Sequence, residues 1–343
     1  MSAAEPILEV ANLVVELAGD DGMLRAVDGV SLSIGRGEVV GLVGESGAGK
    51  TLTAEAMLGL VRCPPGRVTG TVRFHGHDLL ELGERELARI RGKEIAMIFQ
   101  NPGASLNPVF RIGDQVVESM ALHLPGARRD LRQRAADILQ RVGIPAARTR
   151  MRDYPHQFSG GMAQRVMIGM GVSCTPSLLI ADEPTTALDV TIQAQVLALI
   201  RSLAREMGMA VLLVSHDLGI VSQMCHRVIV MYAGRVVEQA SIGTIFRAPA
   251  HPYTRALMAC LPGLDGVARL GTIPGVMPGL TAVPSGCRFH PRCAVAEPRC
   301  AVEEPVLRDV GDAHRAACHL ARRAGEGPRV QAAAMSARNG EPG

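Results

Sequence analysis

The chain has 343 residues, 47% of them hydrophobic and 20% charged, with a formal net charge of +3. That length suits roughly two domains, and the composition is that of an ordinary globular protein. The charge is too small to argue for a nucleic-acid partner or an anionic membrane surface, and no stretch approaches the ~18 apolar residues of a membrane span. The N-terminal MSAAEPILEV lacks a basic region followed by a long apolar run, so a cytoplasmic protein is expected. If it works at a membrane, other chains supply the spans.

No internal repeat is present. Residues 7–17 and 26–34 alternate like strands. EVVGLVG (38–44) is a short apolar run ending in glycine, as a buried strand would, and leads into ESGAGKT and a helix to about Leu60. Residues 70–79 and 94–100 read as further strands. Roughly 103–175 reads as a mostly helical insertion, in which Leu131, Ala135, Ile138, Leu139 and Val142 share one helical face. SLLIADE (177–183) and AVLLVSH (210–216) are buried strands around a helix at 191–207. Strands alternating with helices predict an α/β fold with a mostly parallel, doubly wound sheet. After about residue 240 the alternation stops. Prolines and glycines crowd 262–298, which points to a separate C-terminal element over 261–323. The stretch 324–343 is rich in Ala, Gly, Arg and Pro and is expected to be disordered.

Gly44-Glu45-Ser46-Gly47-Ala48-Gly49-Lys50-Thr51 fits G-x-x-x-x-G-K-[ST] between a strand and a helix, the context that phosphate-binding loop requires. Its glycines let backbone N–H groups wrap phosphates, and the following helix N-terminus adds a favourable dipole. Lys50 would reach the β- and γ-phosphates, and the Thr51 hydroxyl would ligate Mg²⁺. Asp182 ends a buried strand, where a carboxylate can hold Mg²⁺ through water, and neighbouring Glu183 can orient or deprotonate an attacking water. Alone, such a pair would merely end a strand; beside a phosphate loop it reads as catalytic. FSGGM (158–162) opens a helix with a serine and two glycines, a second anion site more than 100 residues from the first. One resolution is that it serves a nucleotide held by another subunit.

Eight cysteines are unevenly placed. Cys63, Cys174, Cys225 and Cys260 are scattered, whereas Cys287, Cys293, Cys300 and Cys318 fall within 32 residues. In a reducing compartment such a group suggests metal more than disulfides. Four thiolates suit tetrahedral zinc or an iron–sulfur cluster, and the spacing lacks the C-x2-C pairs of common zinc ribbons. Arg288, Arg292 and Arg299 flank the thiolates and are expected to offset a net-negative cluster. With zinc, His290, His314 or His319 are possible substitute ligands. The simplest role for either group is a staple for an element with little core.

These ordered motifs resemble those of the ATP-binding subunits of ABC transporters over roughly 7–260. The loop 44–51 corresponds to Walker A, Gln100 in MIFQNPGASLNP to the Q-loop, and Phe158, Ser159, Gly160, Gly161 and Met162 to the LSGGQ signature. LLIADEP corresponds to Walker B, TALD (186–189, ending in Asp189) to the D-loop, and His216 in LLVSHD to the switch histidine. The resemblance implies a P-loop NTPase fold with a mostly parallel core sheet, an antiparallel β subdomain and a helical subdomain within 1–260. It also implies a head-to-tail dimer holding two ATP molecules, each between Walker A of one subunit and the signature of the other. His216 would contact the γ-phosphate, and Gln100 would link Mg²⁺ to the transporter interface. Phe158 and Met162 depart from the usual signature Leu and Gln without removing Ser159, Gly160 or Gly161. The usual adenine-stacking aromatic is absent from 11–35, where Met23 or Leu24 would pack instead.

FQNPGASLNPVFRIGDQ, HPYTRALMACLP and GCRFHPRC are closer to the oligopeptide/dipeptide (and nickel) importer subgroup, which extends the resemblance to about residue 320. That subgroup implies a [4Fe–4S] cluster at the four cysteines, with zinc as the alternative. It implies peptides as cargo, with nickel or another small solute as the alternative. It further implies a homologous second ATPase as heterodimer partner, two permeases, an extracytoplasmic solute-binding protein and a peripheral position on the cytoplasmic face of the inner membrane. A soluble ABC-type ATPase acting on nucleic acid is the competing class. The interval between Lys50 and Ser159 has room only for a modest helical subdomain, not for the long coiled coils of such proteins.

Overall fold

The computed structural model describes residues 5–20, 22–186, 188–261 and 272–321; the stretch expected to be disordered, 324–343, lies outside them. Two sheets share the core. The first four-stranded sheet is antiparallel, in the order β2-β1-β4-β5, built from β1 (Leu8–Gly19), β2 (Gly22–Ile34), β4 (Arg67–Phe74) and β5 (His77–Asp78). The second has eight strands. Its parallel part runs β6 (Ile95–Ile98), β7 (Leu178–Asp182), β8 (Ala210–Ser215), β3 (Val39–Val43) and β9 (Arg227–Tyr232).

Strands β3, β7 and β8 are buried at every position, which is why they read as unbroken apolar runs rather than alternating ones. Their successive side chains serve different cores. Val40, Leu42, Leu178, Ile180, Leu212 and Val214 face the antiparallel sheet and the helix Lys50–Met57. Val39, Val43, Leu179, Ala181, Val211 and Leu213 face the helical side. There the insertion contributes the helices Ile112–Ala121, Arg128–Arg141 and Gly160–Val172. On Arg128–Arg141, Leu131, Ala135, Leu139 and the following Val142 are buried, and Ile138 is partly so, as the apolar spacing predicts. The helix Val190–Met207 stops at Gly208, whose φ of 64° is the left-handed cap that favours glycine.

The sheet does not end where the strand–helix alternation ends. β10 (Arg235–Ser241) pairs antiparallel with β9, and β12 (His314–Ala316) pairs antiparallel with β10 and with β11 (Arg308–Gly311). The cysteine-rich element therefore adds the last two strands of the core sheet. These strands are too short and polar to show a period of two in the sequence.

One buried carboxylate joins the two parts. Glu238 of β10 is 0% exposed and accepts hydrogen bonds from Ala250 N (2.6 Å), His251 N (2.8 Å) and His314 Nε2 (2.7 Å). Burial raises its pKa, but the His314 and backbone hydrogen bonds outweigh that and hold it below the usual carboxylate range. Removing one partner of such a buried set costs about 3 kcal/mol. Glu238→Gln is therefore expected to lower the melting temperature and to open 272–321 to limited proteolysis. A depressed folded pKa gives stability that is present above the unfolded value and lost as pH falls through the folded one. Between about pH 5 and about pH 3 the variant should accordingly lose less stability than wild type, which thermal denaturation at the two ends would measure.

Candidate functional site

The phosphate loop leaves β3 at Val43. A Cβ on Gly44 would stand 2.3 Å from Met231 O, so only glycine passes this point. Gly47 and Gly49 have φ of 82° and 95°, the left-handed region where side chains are strained. The turn between β9 and β10 braces the loop: Gly234 N donates to Ala48 O (2.9 Å), and Asp28 N of β2 donates to Gly234 O (2.9 Å). Lys50 is buried, with Nζ donating to Gly44 O (2.8 Å) and Glu45 O (3.0 Å). Burial lowers its pKa, against the opposing pull of Glu183, Asp182 and Glu45. Ser46, Gly47 and Thr51 are exposed at the mouth.

Strand register sets the carboxylates beside this loop. Val43 lies opposite Ser215, and Asp182 opposite Val214, so β3, β7 and β8 end level. Thr51 Oγ1 donates to Asp182 Oδ1 (3.3 Å), and burial pushes the Asp182 carboxyl up to about 6. Glu183 turns out of the strand at φ 44°. Its Oε2 accepts from Gln100 Nε2 (2.8 Å) and Thr186 Oγ1 (2.9 Å), and its Oε1 lies 3.1 Å from His216 Nδ1. Burial works against its charge, but the His216 and Thr186 hydrogen bonds prevail and hold its pKa below the usual range. Two adjacent carboxylates thus differ: Glu183 is held ionised among Gln100, Thr186 and His216, while Asp182 is buried against the Thr51 hydroxyl. Gln100 and His216, expected at Mg²⁺ and at a γ-phosphate, meet here on Glu183. Thr186, read only as part of the 186–189 stretch, is the third partner.

The second glycine loop is built as a helix start. Ser159 Oγ accepts from Met162 N (3.3 Å) and caps Gly160–Val172. A Cβ on Gly161 would stand 2.9 Å from Ile192 Cγ2, whereas Gly160 has only Leu188 at 3.9 Å. Arg150 lies 5.7 Å over the Phe158 ring. Asp189 caps Val190–Met207 through Ile192 N (3.0 Å). Among the described residues no hydrogen bond or ion pair joins 158–162 to 44–51. Met23 is 47% exposed near the start of β2, the strand that meets the phosphate loop farther along, at Ala26.

In the C-terminal element Cys287, Cys293, Cys300 and Cys318 line one small cavity with His251, Phe289, His290 and His319. Burial pushes the Cys293 thiol up to about 11 and raises those of Cys287 and Cys318, with the neighbouring thiols adding to the rise. Among the described residues no three His, Cys, Asp or Glu side chains converge to hold a single metal ion. His314 does not line the cavity; its Nε2 is committed to Glu238. The arginines also depart from their expected task of offsetting thiolate charge. Arg288 pairs with Asp28 and donates to Ala233 O, Arg292 pairs with Glu45, and Arg299 pairs with Glu297. Each of these guanidinium groups is engaged by a carboxylate, a charge-assisted contact. Sequence proximity to cysteine gave no sign of these distant partners.

Comparison with known proteins agrees with this geometry. The ABC transporter family matches residues 27–186, and the oligopeptide/dipeptide transporter C-terminal region matches 237–300. The dipeptide transport ATP-binding protein DppD of Escherichia coli is 47% identical over 91% of this chain and 96% of its own length. The oligopeptide transport ATP-binding protein AppD of Bacillus subtilis is 46% identical over 88% and 92%. Among solved structures, the dimeric post-hydrolysis state of the ATP-binding cassette MJ0796 bound to ADP and Pi superposes with a TM-score of 0.62 at 26% identity, covering 68% of this chain and 98% of that one. The protein cbiO1 of Clostridium perfringens gives a TM-score of 0.61 at 26% identity over 71% and 92%. With a phosphate loop, a paired carboxylate site and relatives of this identity across nearly its whole length, the chain belongs to the ATP-binding subunits of the ABC transporter family, in the branch that carries the oligopeptide/dipeptide C-terminal region.

Proposed function

We propose that this chain hydrolyses ATP to drive import of dipeptides or oligopeptides. The observation that carries the reading is the convergence of Gln100, Thr186 and His216 on Glu183, beside Asp182 and Thr51. Backbone amides of 44–51 and Lys50 would bind the phosphates, while Thr51, Asp182 and Gln100 would hold Mg²⁺, whose charge would offset that of the phosphates. Glu183, kept ionised, takes the proton from the attacking water. His216, with Nδ1 3.1 Å from Glu183 Oε1, would contact the γ-phosphate. Family membership, and a 158–162 loop that makes no hydrogen bond or ion pair with 44–51 among the described residues, support a signature that acts on the nucleotide of a second, homologous ATPase, with Asp189 at the same interface. Two permeases and an extracytoplasmic solute-binding protein complete the transporter, and the chain sits on the cytoplasmic face of the membrane. Among the described residues no helix is long and apolar enough to cross it. The ATPase unit spans about 1–260, with its helical subdomain at about 103–175, and the cysteine-rich unit spans 261–323.

The residues around the thiol cavity suit a [4Fe–4S] cluster. Four thiols lining one small cavity would serve as ligands to such a cluster, with a tetrahedral zinc as the alternative. His251 is fully buried, and burial pushes its pKa down to about 4, so the ring is neutral. Its Nδ1 accepts from Tyr253 N (3.0 Å), which leaves the proton on Nε2, a buried donor with no partner among the described residues. A sulfur acceptor in the cavity would satisfy it. When bound, such a cluster supplies covalent cross-links between segments of the element.

Reconstituted with permeases and solute-binding protein in vesicles, the wild-type chain should support ATP-dependent uptake of a labelled dipeptide. Glu183→Gln should keep ATP affinity within about threefold while hydrolysis falls by at least about 100-fold; unchanged turnover in single-cycle assays would refute the role of Glu183. The full chain purified without oxygen should contain about four iron atoms and as much labile sulfide. Cys287→Ser should lose both and become more sensitive to protease over 272–321. One zinc and no iron per chain would decide for zinc.

A further inference from the structure

Glu45 places a carboxylate inside a loop that binds phosphates, and like charges at close range repel. The chain answers this charge from 247 positions away. Arg292 grips Glu45 with both arms of its fork, Nη1 to Oε2 at 2.7 Å and Nη2 to Oε1 at 3.0 Å. The Arg292 side chain is only 7% exposed. Its Nε donates to Pro274 O (2.8 Å), and its guanidinium lies 5.8 Å and 6.0 Å over the rings of Tyr232 and Phe289. Tyr253 reaches the same residue, its hydroxyl accepting from Glu45 N (2.8 Å). Arg292 is therefore held from several sides, and the Glu45 carboxylate follows it.

We propose that Arg292, one residue before Cys293, is a positioning residue for the nucleotide: it neutralises Glu45 and draws that carboxylate into the C-terminal element, so that phosphates meet a loop whose remaining charge is Lys50. The inference rests on nucleotide binding by 44–51 and goes beyond it by giving the cysteine-rich element a direct hand in the site. It carries a sign that a mere brace would not. Removing Arg292 exposes an uncompensated negative charge, and removing Glu45 as well removes the reason Arg292 is needed.

The test is Mg²⁺-ATP affinity and the KM-against-kcat split in the full chain for Arg292→Gln, Glu45→Gln, the double variant and Arg292→Lys. Circular dichroism and melting curves follow the fold. Arg292→Gln should weaken ATP binding about tenfold, which corresponds to about 1.4 kcal/mol, and raise KM with kcat within about twofold. The double variant should bind ATP within about threefold of Glu45→Gln alone, because Arg292→Gln costs little once the Glu45 carboxylate is gone. Arg292→Lys keeps the charge but not the fork and should lose less than Arg292→Gln. A folded Arg292→Gln with wild-type affinity would overturn the proposal. So would a double variant as far below Glu45→Gln as Arg292→Gln is below wild type, which would reduce Arg292 to a brace. Should Arg292→Gln not fold, Arg292→Lys alone and with Glu45→Gln decides: a loss that Glu45→Gln does not relieve overturns the proposal. Wild type that binds no ATP would instead sink the nucleotide reading itself, and is recognised because every variant then fails alike.

Discussion

The site depends on three parallel strands ending at one level. β3, β7 and β8 are locked in a register that sets Val43 against Ser215 and Asp182 against Val214. The chain leaving each strand then enters the same space: the phosphate loop from β3, Glu183 from β7, His216 from β8. Sites at the carboxyl ends of parallel strands arise this way in open α/β sheets generally. Here burial enforces the register. Alternate side chains of each strand belong to different cores, so a slip by one residue would turn every one of them to the wrong side.

Once that register is fixed, Glu183 becomes the point where separate parts of the molecule meet. Gln100 stands where β6 gives way to the helical insertion, Thr186 lies on the approach to the helix Val190–Met207, and His216 follows β8. Each hydrogen bond is worth only about 0.5–1.5 kcal/mol net, so any of these partners can leave and return without unfolding its own element. A carboxylate with three such partners responds to displacement of any of them. That is the property a hydrolytic site needs if its activity is to follow the position of the helical insertion.

What the sequence shows is what is encoded in neighbouring residues. The loop 44–51, the pair Asp182–Glu183 and the serine-capped start at 159 are local patterns whose geometry follows from chain direction and backbone freedom, and all are legible. The buried strands are legible because both faces are covered. Pairings between distant charges are not legible: Arg292 with Glu45, Arg288 with Asp28 and His314 with Glu238 join residues 247, 260 and 76 positions apart. No spacing rule connects them, and the nearest chemically interesting neighbours, the cysteines, suggested the wrong partners for the arginines. β11 and β12 escaped notice for another reason. Four and three residues are too few for a period of two to rise above chance, and they pair only because β10 offers an edge.

The same contacts explain why the C-terminal element can matter to a site it does not contain. Its own buried cluster is Val310, Ala316, Cys318 and Ala321, far too little apolar surface to order some fifty residues against their conformational entropy. Order must come from elsewhere: from Phe289 packed between Tyr232 and Tyr253 (ring centroids 5.1 and 5.3 Å), from Glu238, and from the arginine–carboxylate pairs. Arg292 is part of that ordered state and cannot hold Glu45 without it. The charge in the phosphate loop is therefore coupled to the folding of the element, and the coupling runs both ways. A nucleotide that prefers Glu45 neutralised also favours the docked element, by the same free energy with which the docked element favours the nucleotide.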